Sequence, residues 1–379
     1  MGSITSKKTY SYGDLTIVPC MTEIDSRSDC NPFTEESNFT RLPLFTAPMD
    51  CVVNEENFEM WEMNCITPIL PRTIKYETRF DYMMCGKWIA VSLDEFKQMF
   101  LNEKWYRTSG DPIELHVCID IANGHMKHMY EDIKVIKEMM FVKHNVSISI
   151  MIGNIANPES YRYIAYNYNN VIDYVRLSIG SGNGCITTPN TGVHYPIASL
   201  VNESAHHRDG LLYEYQGIKN IPKIIADGGI RNYGDAIKAL ALGADYVMIG
   251  SLFSSFLESA AELSVNYNWK DKTEEQKRDF LDTRIQPIFK EFYGMSTKKA
   301  QAKIIANAKD GDVDSKKLKT SEGCIKQLEC KYTMKQWVDN FVSYIRSAMS
   351  YTNCRNLKQF KINVELIENS PNEIMAINK

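Results

Sequence analysis

The sequence predicts an α/β fold of the (β/α)8 kind, a TIM barrel, on three observations. Eight short segments rich in apolar and β-branched residues recur between residues 43 and 250, separated by stretches with helical periodicity. Several of the eight are apolar throughout, as strands of a parallel sheet covered on both faces must be. Glycine and aspartate collect directly after the segments, at the rim where barrel enzymes carry their chemistry.

The eight candidate strands are, in chain order, Pro43–Ala47, Cys65–Leu70, Trp88–Leu93, His116–Ile121, Ser147–Gly153, Tyr174–Ile179, Lys223–Ala226 and Tyr246–Gly250. Amphipathic patterns predict helices between them, for example over 126–140, 158–168 and 232–243. Pro158 suits a first helical turn and Gly243 suits a helix end. Eight alternations favour a closed barrel over an open doubly wound sheet, and we expect one barrel domain over residues 1–379.

After the eighth strand the chain predicts a C-terminal extension. Residues 297–321 are rich in Lys and Asp and have no apolar periodicity. They predict a mobile flap loop, or alternatively a disordered surface insertion. A helix is expected from Thr333 to Ser350, within a C-terminal helix and tail over about 333–379.

Composition excludes several classes of function. The chain has 379 residues, 44% of them hydrophobic, and a formal net charge of −4, so it has no general affinity for nucleic acid. No 18-residue apolar run occurs, and we expect a cytoplasmic protein that binds no membrane. The ten cysteines form no CxxC pair and are expected to be reduced. His125 and His128 lack a further ligand at metal spacing, so a non-metal role is favoured.

Two kinds of loop could carry chemistry. The loops "ADGGIR" (226–231) and "IGS" (249–251) follow late strands, where glycine backbones often hold a phosphate. A phosphate site is favoured, and the alternative is that Gly228 and Gly229 only make a tight turn. "IGSGNGC" (179–185) places Cys185 behind three glycines. From its position alone the thiol is as consistent with buried filler as with a nucleophile.

These residues together resemble the IMP dehydrogenase and GMP reductase family. "IGSGNGCITT" resembles its active-site loop and "IIADGGIRNYGDAIKALALGADYVMIGSLF" its phosphate-binding segment. "LFTAPMD", "CIDIANGH", "GNIANPE" and "FYGMS" follow in the family's order, so the resemblance covers about residues 10 to 360. It implies a nucleotide-dependent oxidoreductase of purine salvage with a covalent cysteine intermediate.

Within the family the reductase branch is favoured. "CITTPNTGVHYP" and "KTSEG" resemble reductase motifs, and no Arg or Tyr lies between Met295 and Glu322, where the dehydrogenases carry an Arg-Tyr pair. Only residues 73–87 separate the second and third strands, so the usual CBS modules are absent. "APMD" is the one dehydrogenase-like spelling. The alternatives are a dehydrogenase without CBS modules, which would convert IMP to XMP with NAD, and a weakened nucleotide-binding paralogue.

The resemblance also implies residue roles, with GMP as substrate, IMP as product and a homotetramer as the assembly. The implied catalytic residues are Cys185, Thr187 and Glu322. The implied substrate-binding residues are Ala47, Met49, Asn183, Asp227, Gly228, Gly229, Gly250, Ser251, Tyr293, Gly294, Met295, Ser296, Lys319, Ser321 and Gly323. The implied NADPH-binding residues are Ser26, Arg27, Arg72, Asp120, Ala122, Asn123, Gly153, Asn154, Arg346, Ser347 and Ser350. The carbonyls implied to hold K+ belong to Gly180, Gly182 and Cys185.

Some positions depart from the family pattern. Asp227 does not depart from that pattern: it is assigned to the ribose hydroxyls, with a helix N-cap as the alternative role.

Arg72 of "LPRT" is the only basic residue where reductases have a histidine-containing motif, and no clamp for a 2′-phosphate stands out. Ser178 replaces a usual glycine, and Lys319 replaces an arginine that could recognise phosphate with a planar fork. NADPH rather than NADH therefore rests on the resemblance alone.

Overall fold

The eight predicted strands form one closed parallel barrel. The computed structural model describes residues 6–34, 40–107, 109–215, 220–308, 318 and 320–377. The strands, numbered along the chain, are β1 Leu15–Ile17, β2 Leu44–Thr46, β3 Ile69–Leu70, β4 Trp88–Val91, β5 Ile113–Asp120, β6 Val146–Ile155, β7 Tyr174–Leu177, β8 Lys223–Asp227, β9 Tyr246–Ile249, β10 Phe289–Tyr293, β11 Ile325–Glu329 and β12 Leu366–Glu368. The barrel order is β2-β9-β8-β7-β6-β5-β4-β3. A parallel bridge between Phe45 and Thr67 joins β2 to the chain entering β3 and closes it.

Helices alternate with the strands and cover the outside of the barrel. They are α1 Phe58–Met63, α2 Tyr76–Met84, α3 Leu93–Leu101, α4 Lys127–Met139, α5 Pro158–Asn167, α6 Thr187–Thr191, α7 Ile197–Glu214, α8 Tyr233–Ala241, α9 Ser251–Ser254, α10 Glu274–Asp282, α11 Lys298–Asn307, α12 Met334–Tyr351, α13 Leu357–Asn363 and α14 Pro371–Ile377. Tyr12–Asp14 and Arg27–Asp29 are 3-10 turns, and Met140–His144 is a π-helical turn. The (β/α)8 fold is therefore confirmed.

Two apolar clusters stabilise this arrangement. The larger lies between the strands and the outer helices and includes Trp61, Phe253 and Trp337, each almost completely buried. The smaller fills the barrel interior around Phe45 and Trp88, whose rings meet edge to face at 5.8 Å between centroids. Because the interior is packed with side chains, ligands are restricted to the rim.

Most strand boundaries shift by one to three residues from the prediction, and two differences are larger. The second barrel strand begins only at Ile69, since Cys65 has a left-handed backbone (φ 60°) that ends extended geometry. The expected loop 297–321 instead opens with α11, where the Thr297 side chain caps the helix by accepting from the Ala300 N–H. Good helix formers such as Ala302 and Lys303 then sustain it. Residues 309–317 and 319 lie outside the described residues.

Two antiparallel strand pairs lie outside the barrel. Strands β1 and β12 pair antiparallel and join the two ends of the chain. Strands β10 and β11 form a second antiparallel pair beside the barrel rim. In the described part of the chain no helix is both long and apolar enough to cross a bilayer. All ten cysteines are free thiols, as expected.

Candidate active site

The glycine loop after β7 presents Cys185 at the carboxyl rim of the barrel. Gly180 has φ 78°, and a Cβ there would lie 1.8 Å from the Thr188 hydroxyl, so only glycine fits. Ser178 has φ 143°, a conformation that glycine adopts without cost, and its hydroxyl is hydrogen-bonded to that of Ser181. The loop is therefore a tightly bent segment and Cys185 is half-buried rather than core filler.

Cys185, Thr187 and Glu322 form one continuous hydrogen-bonded chain. The Cys185 thiol donates to the Thr187 hydroxyl over 3.2 Å, and that hydroxyl donates to Oε2 of Glu322 over 2.6 Å. A hydroxyl both accepts and donates, so a proton can pass from sulfur towards the carboxylate. The arrangement suits a nucleophilic thiol with an attached proton relay.

Glu322 reaches this hydrogen-bonded chain because the residues just before β11 lie against the glycine loop. Cys185 and Gly323 form an antiparallel bridge, in which the Ile186 N–H donates to the Glu322 carbonyl over 2.8 Å. The Cys324 N–H donates to the Gly184 carbonyl over 3.0 Å. Backbone pairing therefore fixes the distance between residues 135 positions apart in the chain.

Arg176, which sequence reasoning missed, lies at the centre of the rim. Its guanidinium donates to Oδ2 of Asp227 from Nε (3.1 Å) and NH2 (2.9 Å), and to Oδ1 of Asp120 from NH1 (2.7 Å). Burial alone would lower the pKa of Arg176, but Asp227, Cys118 and Asp120 outweigh it and hold that pKa well above its ordinary value. An arginine in a strand that faces a packed barrel was the available signal.

Asp227 uses only one of its carboxylate oxygens in the hydrogen bonds of the described residues. Its Oδ2 accepts from Arg176 and from Asn154 Nδ2 (2.7 Å), whereas the described contacts leave Oδ1 aside. The N-cap of α8 is Asn232, whose side chain accepts from the Asp235 N–H, so the alternative role for Asp227 as a helix cap is wrong. This leaves a site role for its second oxygen.

The turns after β8 and β9 bring glycine backbone to the rim. Gly228 and Gly229 have φ 95° and 74°, and a Cβ on Gly228 would lie 2.7 Å from the Ser181 hydroxyl. A Cβ on Gly250 would lie 3.0 Å from Met49 Sδ and 3.4 Å from Ala47 Cβ. These turns, the glycine loop and the segment after β2 therefore converge, with Ser251 opening the short helix α9.

Tyr293 is tied to two residues that sequence reasoning did not identify. Its hydroxyl donates to Oδ2 of Asp50 over 2.6 Å, and Lys303 Nζ donates both to that oxygen (2.7 Å) and to the Tyr293 hydroxyl (2.8 Å). Burial, and then the Asp50 carboxylate, raise the pKa of Tyr293. Lys303 belongs to α11, so this helix is anchored on the rim. Gly294 contacts Gly184, and Met295 and Ser296 lie half-buried beside them.

A group of residues predicted for the cofactor lies at the carboxyl ends of β5 and β6 and just beyond β5: Asp120, Ala122, Asn123, Gly153 and Asn154. The Ile121 N–H donates to the Gly153 carbonyl over 2.9 Å, and the Asn154 N–H donates to the Ile121 carbonyl over 2.8 Å. The Arg72 NH1 lies 3.5 Å from the Asp120 carbonyl. His125 is held by Ser160 at Nδ1 (2.9 Å) and accepts from the Ala156 N–H at Nε2. Burial lowers the pKa of His125, and both of its ring nitrogens are engaged by neighbouring residues.

Five further residues predicted for the cofactor gather elsewhere, on the Arg27–Asp29 turn and on α12. Arg27 NH1 donates to the Ser347 hydroxyl over 3.3 Å, and Ser350 donates to the Ser347 carbonyl over 2.9 Å. Arg346 Nε donates to the Cys30 carbonyl over 3.1 Å, and the hydroxyls of Ser26 and Ser28 are 2.6 Å apart. These residues form a second group of their own, attached to the outer face of the barrel through α12 and α8.

The remaining predicted residues lie in different places. Ser321 donates to the Gly323 carbonyl over 3.0 Å, next to the proton relay. Asn183 accepts from Lys326 Nζ over 2.8 Å, a contact that the sequence did not suggest. Lys319 lies outside the described residues. Among the described residues no group of three His, Cys, Asp or Glu side chains could hold a metal ion.

Comparison with known proteins gives consistent matches. A family model described as "IMP dehydrogenase / GMP reductase domain" matches residues 115–376. A GMP reductase of Exiguobacterium is 31% identical over 264 residues, 67% of this chain and 73% of that protein. A GMP reductase of Staphylococcus epidermidis is 26% identical over 374 residues, 96% and 98% of the two chains. One of Caenorhabditis elegans is 27% identical over 378 residues, 95% and 91% of the two chains.

Proposed function

Because the chain belongs to the IMP dehydrogenase and GMP reductase family, we propose that it is a GMP reductase, which converts GMP and NADPH to IMP, ammonia and NADP+. The observation that carries the proposal is the hydrogen-bonded chain from Cys185 through Thr187 to Glu322. That chain supplies a nucleophile and a route for its proton within one site. The relatives that match over almost the whole chain are named GMP reductase.

In the first half of the reaction Cys185 Sγ bonds to C2 of the purine and the C2–amino bond breaks. The thiol proton travels through Thr187 and Glu322 to the departing amino group, which leaves as ammonia. The product of this step is a thioimidate on Cys185. NADPH supplies the hydride that C2 then needs. The C–S bond breaks as IMP forms, and the cysteine thiolate takes up a proton.

The segment between Met295 and Glu322 supports the reductive direction. It contains neither Arg nor Tyr, so it offers no guanidine base to activate water against the thioimidate. Lys303 is held by Asp50 and Tyr293, and its ammonium is therefore engaged at the rim. An intermediate protected from water favours hydride transfer over hydrolysis.

For the substrate, we place the 5′-phosphate at Asn183, Gly229, Gly250 and Ser251, where the glycine backbones converge. The Oδ1 of Asp227, which accepts no hydrogen bond from the described residues, suits the ribose hydroxyls, since a carboxylate only accepts. The base lies along the segment Tyr293–Ser296, next to Ala47, Met49 and the Ser321–Gly323 turn. This placement sets C2 beside Cys185.

For the cofactor, we assign the nicotinamide end to the rim residues at the carboxyl ends of β5 and β6. Arg72 Nε is buried without a hydrogen-bond partner among the described residues and lies 3.6 Å from Glu95, so its guanidinium has donor capacity left. We assign the distant Arg27–Ser347 group to the dinucleotide of a neighbouring subunit in a homotetramer. A subunit exchange assay with variants disabled at Arg27 and at Cys185 tests it, because mixed tetramers regain activity only if the site is shared.

A K+ ion is well matched to uncharged oxygen ligands. One bent loop offers three of them, the backbone carbonyls of Gly180, Gly182 and Cys185. Gly182 already accepts from the Cys185 N–H at 3.0 Å, which leaves its second lone pair for a cation. K+ bound there would stiffen the loop that presents the thiol. We expect thermal stability to rise with KCl and not with equal LiCl.

The test of the function follows absorbance at 340 nm with purified protein. Loss of absorbance with GMP and NADPH supports the proposal, and a gain with IMP and NAD would replace it by a dehydrogenase. Silence in both assays, with measurable GMP binding, would indicate a non-catalytic nucleotide-binding protein. Cys185→Ala should abolish turnover and leave GMP binding measurable. Cys324→Ala is the matched control, since Cys324 is also half-buried and lies directly before β11.

A further inference from the structure

We propose that Lys326 binds the substrate's 5′-phosphate and makes the site selective for nucleotides over nucleosides. The inference rests on the proposed function, because that function places the phosphate at Asn183. Lys326 Nζ donates to Oδ1 of Asn183 over 2.8 Å. Asn183 lies in the glycine loop two positions before Cys185. A cation is therefore in contact with the residue to which the phosphate is assigned.

A second contact of the same strand pair fixes the direction in which the Lys326 side chain points. In the register of β10 and β11, Lys326 is directly opposite Phe292, so both side chains emerge on one face. A Cβ on Gly184 would lie 2.6 Å from the Phe292 ring, which shows how closely that face approaches the loop. The packed ring and the lysine therefore meet consecutive residues of the glycine loop.

The positive charge of Lys326 is available to bind a phosphate. Within the described ranges it makes no ion pair with a carboxylate, although its neighbours Glu329 and Lys331 pair with each other at 3.1 Å. One of its three N–H bonds is used by Asn183, and two remain for phosphate oxygens. The other residues assigned to the phosphate, Gly229, Gly250 and Ser251, are uncharged. Lys326 thus supplies a charge-assisted hydrogen bond that those residues lack.

The experiment measures binding by isothermal titration of the full chain with GMP, IMP, ribose 5-phosphate and guanosine. Lys326→Gln should weaken the three phosphorylated probes by about tenfold, the loss of one charge-assisted contact, and leave guanosine unchanged. Lys326→Arg should keep most of the affinity. Lys331→Gln, an exposed lysine of the same segment, is the control and should match the wild type.

The outcomes separate this inference from the function. Equal affinities in Lys326→Gln and Lys331→Gln, or an equal loss for guanosine, overturn the phosphate role even if GMP turns over normally. If GMP does not turn over but ribose 5-phosphate binding still depends on Lys326, the function fails and the phosphate role stands. A wild-type chain that binds none of the phosphorylated probes overturns both. With turnover present, KM for GMP should rise about tenfold in Lys326→Gln at unchanged kcat.

Discussion

Replacing Arg176 by methionine removes the cation that lies between the Asp120 and Asp227 carboxylates. The Arg176 side chain is 7% exposed, and the two carboxylates are 17% and 14% exposed. Three hydrogen bonds to the carboxylates and a fourth to Cys118 Sγ are lost, and two carboxylates remain largely desolvated without this counter-charge. Breaking a buried ion pair from one side costs about 3–5 kcal/mol of unfolding free energy, and we expect a loss in this range. Urea titration followed by circular dichroism measures it.

Two comparisons sharpen the test. Arg176→Lys keeps the charge but loses the fork that contacts both partners, so its loss should be smaller. Arg162→Met removes a 54% exposed arginine that lies 3.8 Å from Glu159, and should change the unfolding free energy by no more than about 0.5 kcal/mol. If Arg176→Met lost less than about 1 kcal/mol, the view that the two carboxylates depend on this guanidinium would be refuted.

Three further predictions concern the thiol, its relay and acid stability. Glu322→Gln should lower kcat by about 10²–10⁴-fold with GMP affinity kept, and an unchanged kcat would remove Glu322 from the relay. Iodoacetamide should modify Cys185 before Cys51, whose pKa burial raises to about 12, and GMP should protect Cys185; peptide mass mapping checks both points. Burial would raise the pKa of Asp245, but Arg208, Lys361 and the Ile224 N–H together outweigh burial and lower that pKa. Its contribution is therefore present above the ordinary carboxyl value of about 3.9 and lost as pH falls below it, so the stability gap between wild type and Asp245→Asn should close there.

The fold was predictable because its signals are local. Each barrel strand carries its own run of apolar residues, and each helix its own periodicity, so neighbours in sequence suffice to place them. The predicted start of the second barrel strand and the predicted loop at residue 297 were wrong, because the local signals at these two positions are weak. Cys65 takes a left-handed backbone that its residue type does not announce, and the Thr297 cap of α11 was hidden in a charged segment.

The site was predictable only in part, because its decisive contacts join distant residues. The motif around Cys185 identified the nucleophile, yet Asp50 and Lys303 are 253 positions apart and Asn183 and Lys326 are 143 apart. No pattern within either segment announces its partner. Arg176 is different, since an arginine inside an apolar barrel strand is itself unusual. Polar residues at interior positions of barrel strands therefore deserve as much weight as glycine-rich loops.

Because Glu322 lies just before β11 and not on a barrel strand, the last barrel strand and the last residue of the relay are made at different points of synthesis. All eight barrel strands have left the ribosome once residue 249 has emerged, whereas Glu322 follows 73 residues later. A nascent chain of intermediate length thus carries Cys185 without its proton acceptor. The antiparallel bridge between Cys185 and Gly323 is the contact that brings the two ends of the relay together.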